Sequence, residues 1–336
     1  MKKVMIFRPL ISLGGTEIAM LNLVKYLKGY ELYIGYTEET SDNSLLDEFR
    51  KYAEVINITN KPNIKFDILI SATTRYHTIK EFQELECDKK YLWFHYFLKL
   101  NTSVFSDLDE VNKLDGIITV SDTCTKKLAG LFPTIKDKII PIYNIIDTES
   151  IINKSNIPKE LELSSELNLA TTARIAAEKG FPRMAVLAKY LHEAGINFKW
   201  FVIGDNHYKE RAEQLITLFD DFKDKMVWVG FNDNPHNIVK QCDYSVLLSD
   251  EETWGLVLTE AMTVGVPCIS SDFEAAFEQI KDGENGIILS RDNLDSYKDR
   301  IHDIINNKDK YKLAVANYKY DNEIILEKWK ELLNEE

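Results

Sequence analysis

The fold of this chain is decided by one stretch of sequence, Ser249-Asp-Glu-Glu-Thr-Trp-Gly-Leu-Val-Leu-Thr-Glu-Ala-Met-Thr-Val-Gly-Val-Pro-Cys-Ile-Ser-Ser271. The apolar run from Tyr244 to Ser249 predicts a buried strand that leads into it. A helix is predicted from Gly255 to Gly265, and a second buried strand from Val266 to Ser270. Two buried strands joined by a helix are typical of a parallel sheet covered by helices.

The same stretch carries two carboxylates, Glu252 in the loop and Glu260 inside the predicted helix. Between them Gly255 marks a helix start, where backbone N–H groups without partners in the helix favour a phosphate. A diphosphate bound there would have one carboxylate near each end, and each could accept hydrogen bonds from sugar hydroxyls. The pattern therefore predicts a site for a sugar nucleotide.

The rest of the chain repeats the alternation of strand and helix. Strands are predicted at 3–8, 32–35, 55–58, 67–71, 91–95, 116–120, 138–142, 166–171, 198–203, 227–229, 244–249, 266–270 and 286–289. Helices are predicted at 16–27, 122–131, 182–194, 208–218, 235–241, 255–265, 294–306 and, as one long tail helix, 310–333. Ligands of open parallel sheets bind beyond the carboxyl ends of the strands. Seven candidate residues fall at such ends: Gly14, Gly15, His95, Ser121, Arg174, Gly204 and Glu252.

A chain of 336 residues is long for one hydrophobic core and is natural for two domains. Residues 144–165 lack strong periodicity and are interpreted as the crossing between domains. We therefore expect a Rossmann-like domain at 1–150, a second one at 165–311, and a C-terminal helix, 312–336, that joins the first domain.

Composition excludes several classes of function. A net charge of −13 argues against nucleic acid as a partner. The four cysteines show no metal-ligand spacing. No apolar run reaches the roughly 18–20 residues that cross a bilayer, and Arg8 and Pro9 end the N-terminal run too early for a signal peptide. We expect a cytoplasmic protein.

Glu252-x7-Glu260, followed by Ala261-Met262 and Gly265-Val-Pro267, resembles the signature of the retaining GT-B glycosyltransferases, in particular family 4. The resemblance implies an α/β fold of two doubly wound Rossmann-like domains facing across a cleft. It implies transfer of a sugar from a nucleotide-diphospho-sugar, with UDP-sugars favoured, and without a metal or other cofactor. Bacterial members commonly build surface polysaccharides, so the expected acceptor is a glycan or a polyprenyl-linked sugar.

Arg174 and Lys179, directly after a predicted strand, resemble the phosphate clamp of the same family. A departing nucleoside diphosphate develops negative charge, which fixed cations stabilise when no metal is present. An arginine holds two phosphate oxygens at once, and a lysine supplies a point charge. We expect both residues, with Glu252 and His95, to act in catalysis.

The resemblance extends to residues expected to bind the donor. It implies that Glu260 binds ribose hydroxyls and that Glu252 holds the donor sugar. The other residues expected to bind the donor lie in four loops, and the last three of them are expected to offer backbone amides: Gly14, Gly15, Gly204, Phe231, Trp254, Gly255 and Leu256. His95, at the end of a strand, is expected to face the transferred sugar. Asn206 replaces a family glycine after Gly204 and Asp205, and asparagine tolerates the same left-handed backbone.

Three alternatives compete with this interpretation, and the first of them is rejected. Asp107-Leu-Asp109 has the letters of a metal-dependent transferase motif, but no buried strand precedes it, and it is expected to cap a helix. A sugar-nucleotide 2-epimerase shares the fold, and a catalytically silent partner protein could retain it.

The aromatic and basic segment 93–100 suggests contact with a membrane surface. Sequence alone does not settle the oligomeric state.

Overall fold

A computed structural model describes residues 1–12, 14–38, 44–59, 61–75, 79, 82–95, 103–204 and 209–334. The chain folds into two compact units. The first unit contains Met1–Ile146 and Asp321–Glu336, and the second contains Asp147–Tyr320.

The first unit is built on a parallel sheet of seven strands in the order β3-β2-β1-β4-β5-β6-β7. The strands are β1 Lys3–Phe7, β2 Glu31–Tyr36, β3 Glu54–Asn57, β4 Phe66–Ser71, β5 Cys87–Phe94, β6 Gly116–Thr119 and β7 Ile139–Pro141. Its helices before the crossing are α1 Gly15–Tyr26, α2 Ser44–Arg50, α3 Leu108–Asn112 and α4 Asp122–Leu131, with 3-10 turns at Val104–Ser106 and Pro133–Lys138. Strand β1 reads as an unbroken apolar run because helices cover both faces of the sheet, and Val4 to Phe7 are fully buried.

The second unit has a parallel sheet of six strands in the order β10-β9-β8-β11-β12-β13. The strands are β8 Leu167–Thr172, β9 Phe198–Ile203, β10 Met226–Gly230, β11 Tyr244–Leu247, β12 Cys268–Ser271 and β13 Gly286–Leu289. The helices are α5 Thr148–Ser155, α6 Phe181–Glu193, α7 Lys209–Ile216, α8 His236–Val239, α9 Leu256–Thr263, α10 Tyr297–Asn306 and α11 Lys308–Val315. Short 3-10 helices lie at Ala177–Lys179, Thr217–Phe222, Glu274–Glu278 and Leu294–Ser296.

All thirteen predicted strands are present, with ends that differ by a few residues. Two doubly wound parallel sheets confirm the predicted fold class. In each sheet the strand order reverses once, between β1 and β4 in the first and between β8 and β11 in the second. Ligands of such sheets bind outside the carboxyl ends of the strands at the reversal.

The domain boundaries differ from the prediction at the first crossing. The structure places the boundary between Ile146 and Asp147, and the supposed linker contains helix α5. Asp147 caps this helix, since its carboxylate accepts a hydrogen bond from the backbone N–H of Ser150 at 3.1 Å. Asn234 fixes the far end by donating to the carbonyl of Lys154 at 2.9 Å. Residues 147–165 therefore belong to the second unit.

The C-terminal tail is two helices rather than one. Helix α11 belongs to the second unit, where Tyr311 and Val315 are buried in its core. A new helix, α12 (Asn322–Asn334), returns to the first unit after Asp321, which accepts from the N–H of Ile324 at 3.2 Å. It packs Trp329 edge-on against Trp93, with 4.9 Å between ring centroids.

The first two residues of the predicted membrane segment are buried. Trp93 and Phe94 lie in β5 and are buried in the core of the first unit. Residues 96–100 lie outside the described residues. Of the helices that the structure describes, none combines the length and the apolar character needed to cross a bilayer.

Candidate functional site

The candidate site lies at the carboxyl edge of the second sheet, where β8 and β11 pair in parallel through Leu169 and Tyr244. The segment after β8 contains Arg174 and Lys179, and the segment after β11 contains Glu252. Because the strand order reverses between these two strands, residues far apart in sequence meet at this edge.

The Nζ of Lys179 donates to Oε1 of Glu252 at 2.7 Å. The hydroxyl of Ser249 donates to the same carboxylate oxygen at 2.8 Å. The side chains of Lys179 and Glu252 are 22% and 17% exposed, so the pair is largely shielded from water but still open on one side. Lys179 was predicted to bind the phosphates of the donor and Glu252 its sugar, and the structure joins the two residues in one contact.

Arg174 lies beside this pair in sequence but is much more open to solvent. Its guanidinium is 3.7 Å from the carboxylate of Glu178, and its side chain is 50% exposed. An exposed ion pair at this distance contributes little to stability. The guanidinium is consequently available to an anionic ligand at small energetic cost.

Glycines bring the backbones of this edge into close contact. Gly180 has a φ of +79°, and a Cβ there would lie 1.7 Å from the carbonyl oxygen of Leu248. A Cβ on Gly204, after β9, would lie 1.9 Å from the carbonyl oxygen of Ala173, next to Arg174. Gly204 therefore lies where predicted and supports the loop that carries Arg174. Asp205 and Asn206 lie outside the described residues.

Two arginines that sequence reasoning missed hold the loop after β11. Arg183, in α6, donates from Nε to the carbonyl of Leu248 at 2.8 Å and forms an ion pair with Asp250. Arg291, after β13, pairs with Asp272 at 2.9 Å and donates to the carbonyl of Asp250. Neither arginine belongs to a recognisable motif, so their partners become visible only in the fold.

Helix α9 begins where it was predicted, with Gly255 in the left-handed conformation at its N-cap and Leu256 as its first residue. The first amides of a helix have no partner within it. Trp254, directly before, is buried, whereas Phe231, after β10, is 59% exposed. The helix start thus offers amides at the same edge of the sheet as Lys179 and Glu252.

Glu260 lies in the second turn of α9 and is half-buried. Burial raises the pKa of its carboxyl group from 4.5 to about 7, and the nearby charge of Lys154 opposes the shift. A carboxyl group in this range changes its hydrogen-bonding character near neutral pH, from donor to acceptor.

The predicted residues of the first unit follow three of its strands, β1, β5 and β6. Gly14 is the N-cap of α1 and Gly15 its first residue. Glu17, in the same turn, is buried and pairs with Arg8, which also donates to the carbonyl of Ala72 at 2.7 Å.

His95 follows β5 in the first unit. Burial, followed by the charge of Arg8, lowers the pKa of His95 to about 3. Its imidazole is therefore neutral near pH 7, a state in which one ring nitrogen can donate a hydrogen bond and the other can accept one. Ser121 caps α4, as predicted, by accepting from the N–H of Cys124 at 3.0 Å.

The metal-dependent alternative finds no support in the fold around Asp107. This residue caps α3, since its carboxylate accepts from the N–H of Glu110 at 3.4 Å, as predicted. Within the described ranges, no group of three or more His, Cys, Asp or Glu side chains could hold a metal ion.

Solved structures share this fold across the whole chain. The Anabaena protein HepE, crystallised with UDP and glucose, superposes with a TM-score of 0.83 at 16% identity, covering 99% of both chains. The fold is accordingly GT-B, as predicted. The chain belongs to the family of glycosyl transferases group 1, whose model matches residues 153–321.

Two curated relatives illustrate the family. The poly(ribitol-phosphate) alpha-N-acetylglucosaminyltransferase of Staphylococcus aureus is 22% identical over 239 residues, 68% of this chain and 45% of the relative. The N-acetyl-alpha-D-glucosaminyl L-malate synthase of Bacillus anthracis is 28% identical over 182 residues, 53% of this chain and 47% of the relative. The chain thus spans about half the length of these relatives.

Proposed function

We propose that this protein is a retaining glycosyltransferase that moves a sugar from a nucleotide-diphospho-sugar to an acceptor. The observation that carries the proposal is the contact of Lys179 with Glu252 at 2.7 Å at the reversal of the sheet. In the same segment after β8, Arg174 has a half-exposed guanidinium. Lys179 is a cation held in place by Glu252, and Arg174 is a cation exposed to solvent. Such a pair of cations suits a ligand with two adjoining phosphates.

The leaving diphosphate is stabilised by three kinds of group. Arg174 binds two phosphate oxygens, Lys179 supplies a point charge, and the first amides of α9 at Gly255 and Leu256 donate hydrogen bonds. Lys179 is held by Glu252 and the amides by the helix before the glycosidic bond breaks, so these groups need little reorganisation as negative charge develops. The reaction we propose uses no metal ion.

Each carboxylate has a distinct proposed role. Glu252, which already accepts from Lys179 and Ser249, binds hydroxyls of the donor sugar with its remaining lone pairs. Glu260, further along α9, accepts from the ribose. In the first unit, the neutral imidazole of His95 can donate one hydrogen bond and accept another, which suits the role in sugar transfer that we propose for it.

UDP is the favoured donor nucleotide. The related fold of HepE was solved with UDP and glucose, and both curated relatives name an α-linked N-acetylglucosamine product. UDP-N-acetylglucosamine carries its sugar in α linkage, so an α-linked product corresponds to retention. These similarities support a UDP-hexose donor and a retaining mechanism for this chain.

The acceptor we propose is a glycan or a polyprenyl-linked sugar used in bacterial surface polysaccharide synthesis. The two curated relatives name different acceptors, a poly(ribitol-phosphate) and L-malate, so acceptor choice varies within the family. We place the reaction in the cytoplasm, at the inner face of the cell membrane.

The proposal is tested by incubating the protein with a panel of UDP-sugars and membrane extract in EDTA, and by determining the anomeric configuration of the product by NMR. An α-linked product from an α-linked donor, lost in Lys179→Met, is expected. A β-linked product would contradict retention. Release of a donor epimerised at C2 in the absence of acceptor would establish the epimerase instead.

A further inference from the structure

Beneath the start of α9, three buried side chains form a closed ring of hydrogen bonds. The indole Nε1 of Trp254 donates to the hydroxyl of Thr259 at 3.0 Å, and that hydroxyl donates to Oε1 of Gln279 at 2.7 Å. Nε2 of Gln279 then donates back to the carbonyl of Trp254 at 2.5 Å. All three residues are buried, and every donor in the ring has an acceptor.

The ring fixes the peptide that precedes the helix. In a trans peptide, the carbonyl of one residue and the N–H of the next point in opposite directions. Gln279 holds the carbonyl of Trp254 on the buried side, so the N–H of Gly255 faces away from it. Gly255 at φ +84° then turns the chain into α9. The direction of the first amides is therefore set by a side chain 25 residues away.

Gln279 is itself anchored. It follows the 3-10 helix Glu274–Glu278, which connects β12 to β13. Asn285 donates to its carbonyl at 3.1 Å and accepts from the N–H of Lys281 at 2.7 Å. The turn that carries Gln279 is therefore held by hydrogen bonds from Asn285, and the side-chain amide of Gln279 contacts Trp254 from this fixed position.

We propose that Thr259 and Gln279 are positioning residues for the donor diphosphate. They do not touch the ligand; they hold the peptide between Trp254 and Gly255 so that its N–H and the amides of α9 are aligned before the ligand arrives. This inference rests on the proposed function, because it assumes that those amides bind the diphosphate. Pre-aligned donors lose little freedom on binding, so the ring raises donor affinity.

The same unit contains a matched network that serves as control. The indole Nε1 of Trp200 donates to the hydroxyl of Thr171 at 3.0 Å, and that hydroxyl donates to the carbonyl of Val246 at 2.9 Å. Thr171 is as deeply buried as Thr259. Thr171→Val and Thr259→Val therefore remove the same group from the same kind of tryptophan contact, but the Thr171 hydroxyl bonds a strand of the sheet and not the residue that holds the peptide before α9.

The experiment compares UDP binding by calorimetry in wild type, Thr259→Val, Thr259→Ser, Gln279→Met and Thr171→Val, with the melting temperature of each. Thr259→Val and Gln279→Met should each raise the Kd of UDP about tenfold or more, since misaligned donors lose part of their bond energy. Thr259→Ser keeps the hydroxyl and should restore wild-type affinity. Thr171→Val should lower the melting temperature to a similar extent and leave the Kd within about twofold.

The possible outcomes distinguish a failure of the positioning role of Thr259 and Gln279 from a failure of the proposed donor binding. Equal changes in Kd for Thr259→Val and Thr171→Val would show that lost stability, not alignment, weakens binding, and would overturn the inference alone. Unchanged affinity in both Thr259→Val and Gln279→Met would do the same. Absence of UDP binding in the wild-type protein would overturn the proposed UDP donor and, with it, this inference as stated.

Discussion

The Nζ of Lys179 lies 2.7 Å from Oε1 of Glu252, although 73 residues separate the two. The contact exists because β8 and β11 are neighbours in the sheet while β9 and β10 lie on the far side of β8. Removing one partner leaves a largely shielded charge with reduced compensation. The two residues should therefore act as a unit.

A double-mutant cycle tests this coupling. Lys179→Met and Glu252→Gln should each lower kcat about 100-fold or more, because each removes a group aligned with charge in the transition state. If the two residues act as a unit, the fold-decrease in kcat of the double variant should be at least about tenfold smaller than the product of the fold-decreases of the two single variants. Kinetics on all four proteins measure the coupling, and losses that multiply fully would show that the residues act independently.

Arg174 should matter for ligand binding and not for folding. Because its ion pair with Glu178 is exposed, Arg174→Ala should change the free energy of unfolding by less than about 0.5 kcal/mol. The same variant should raise the Kd of the bound nucleoside diphosphate at least about tenfold, since hydrogen bonds to charged groups are strong.

The chain offers a matched control for that variant. Lys189 and Glu193 form another i,i+4 pair at 3.7 Å with similar exposure, on helix α6. Lys189→Ala should leave both stability and the Kd unchanged. Denaturant unfolding measures the stability of both variants, and calorimetry measures their Kd. An equal Kd for Arg174→Ala and wild type would show that Arg174 does not bind the nucleotide.

Gly180 should tolerate no side chain. Gly180 and Gly195 share nearly the same φ, +79° and +75°, but a Cβ on Gly195 meets nothing within 4 Å. Gly195→Ala should therefore cost about 1 kcal/mol of stability from backbone strain. Gly180→Ala should cost at least about 2 kcal/mol more, because its Cβ collides with the carbonyl of Leu248. Denaturant unfolding of both variants measures the difference, and equal costs would mean that the two backbones are not packed together.

Glu260 should make stability fall as pH rises. Its carboxyl group has a pKa near 4.5 when unfolded and about 7 when folded. Between those values the folded protein binds more protons than the unfolded chain, so the free energy of unfolding decreases with increasing pH. Glu260→Gln should remove this part of the slope. A difference between the two proteins that stays constant from pH 4.5 to 7 would contradict the shifted pKa.

The same titration should appear in donor binding. An ionised Glu260 accepts hydrogen bonds from ribose hydroxyls, so wild-type affinity for UDP should increase as pH rises through about 7. Glu260→Gln should lack this increase, and the titration of the ligand's own phosphate is common to both proteins. Calorimetry at several pH values isolates the difference, and parallel curves would exclude a role for this carboxylate.

Much of the fold could be predicted because strands covered on both faces are written as short apolar runs, as in Val4 to Phe7. Gly255 likewise marked the start of a helix. Helix α5 was not predicted because its packing depends on Asn234, far along the chain. The tail was predicted as one helix because both halves are helical and the break lies in residues without glycine or proline.

The candidate site was predicted as residues but not as contacts. Residue types and spacing indicated Glu252 and Glu260, and the resemblance to the family implied the phosphate clamp of Arg174 and Lys179. The pairing of Lys179 with Glu252 depends on strand order, which spacing does not encode. Gln279 carried no signal at all, since an amide becomes informative only when its partners, Trp254 and Thr259, are known.

The most direct test of the account is a thermal-shift screen of the protein with UDP, GDP, ADP, TDP and CMP in EDTA. A ligand that binds only the folded protein raises the melting temperature. A free ligand concentration of one hundred times Kd adds about 2.7 kcal/mol to the free energy of unfolding. We expect UDP to stabilise wild type strongly without metal and to stabilise Arg174→Ala only weakly. No shift with any nucleotide would contradict the proposed donor site and would favour a catalytically silent partner protein.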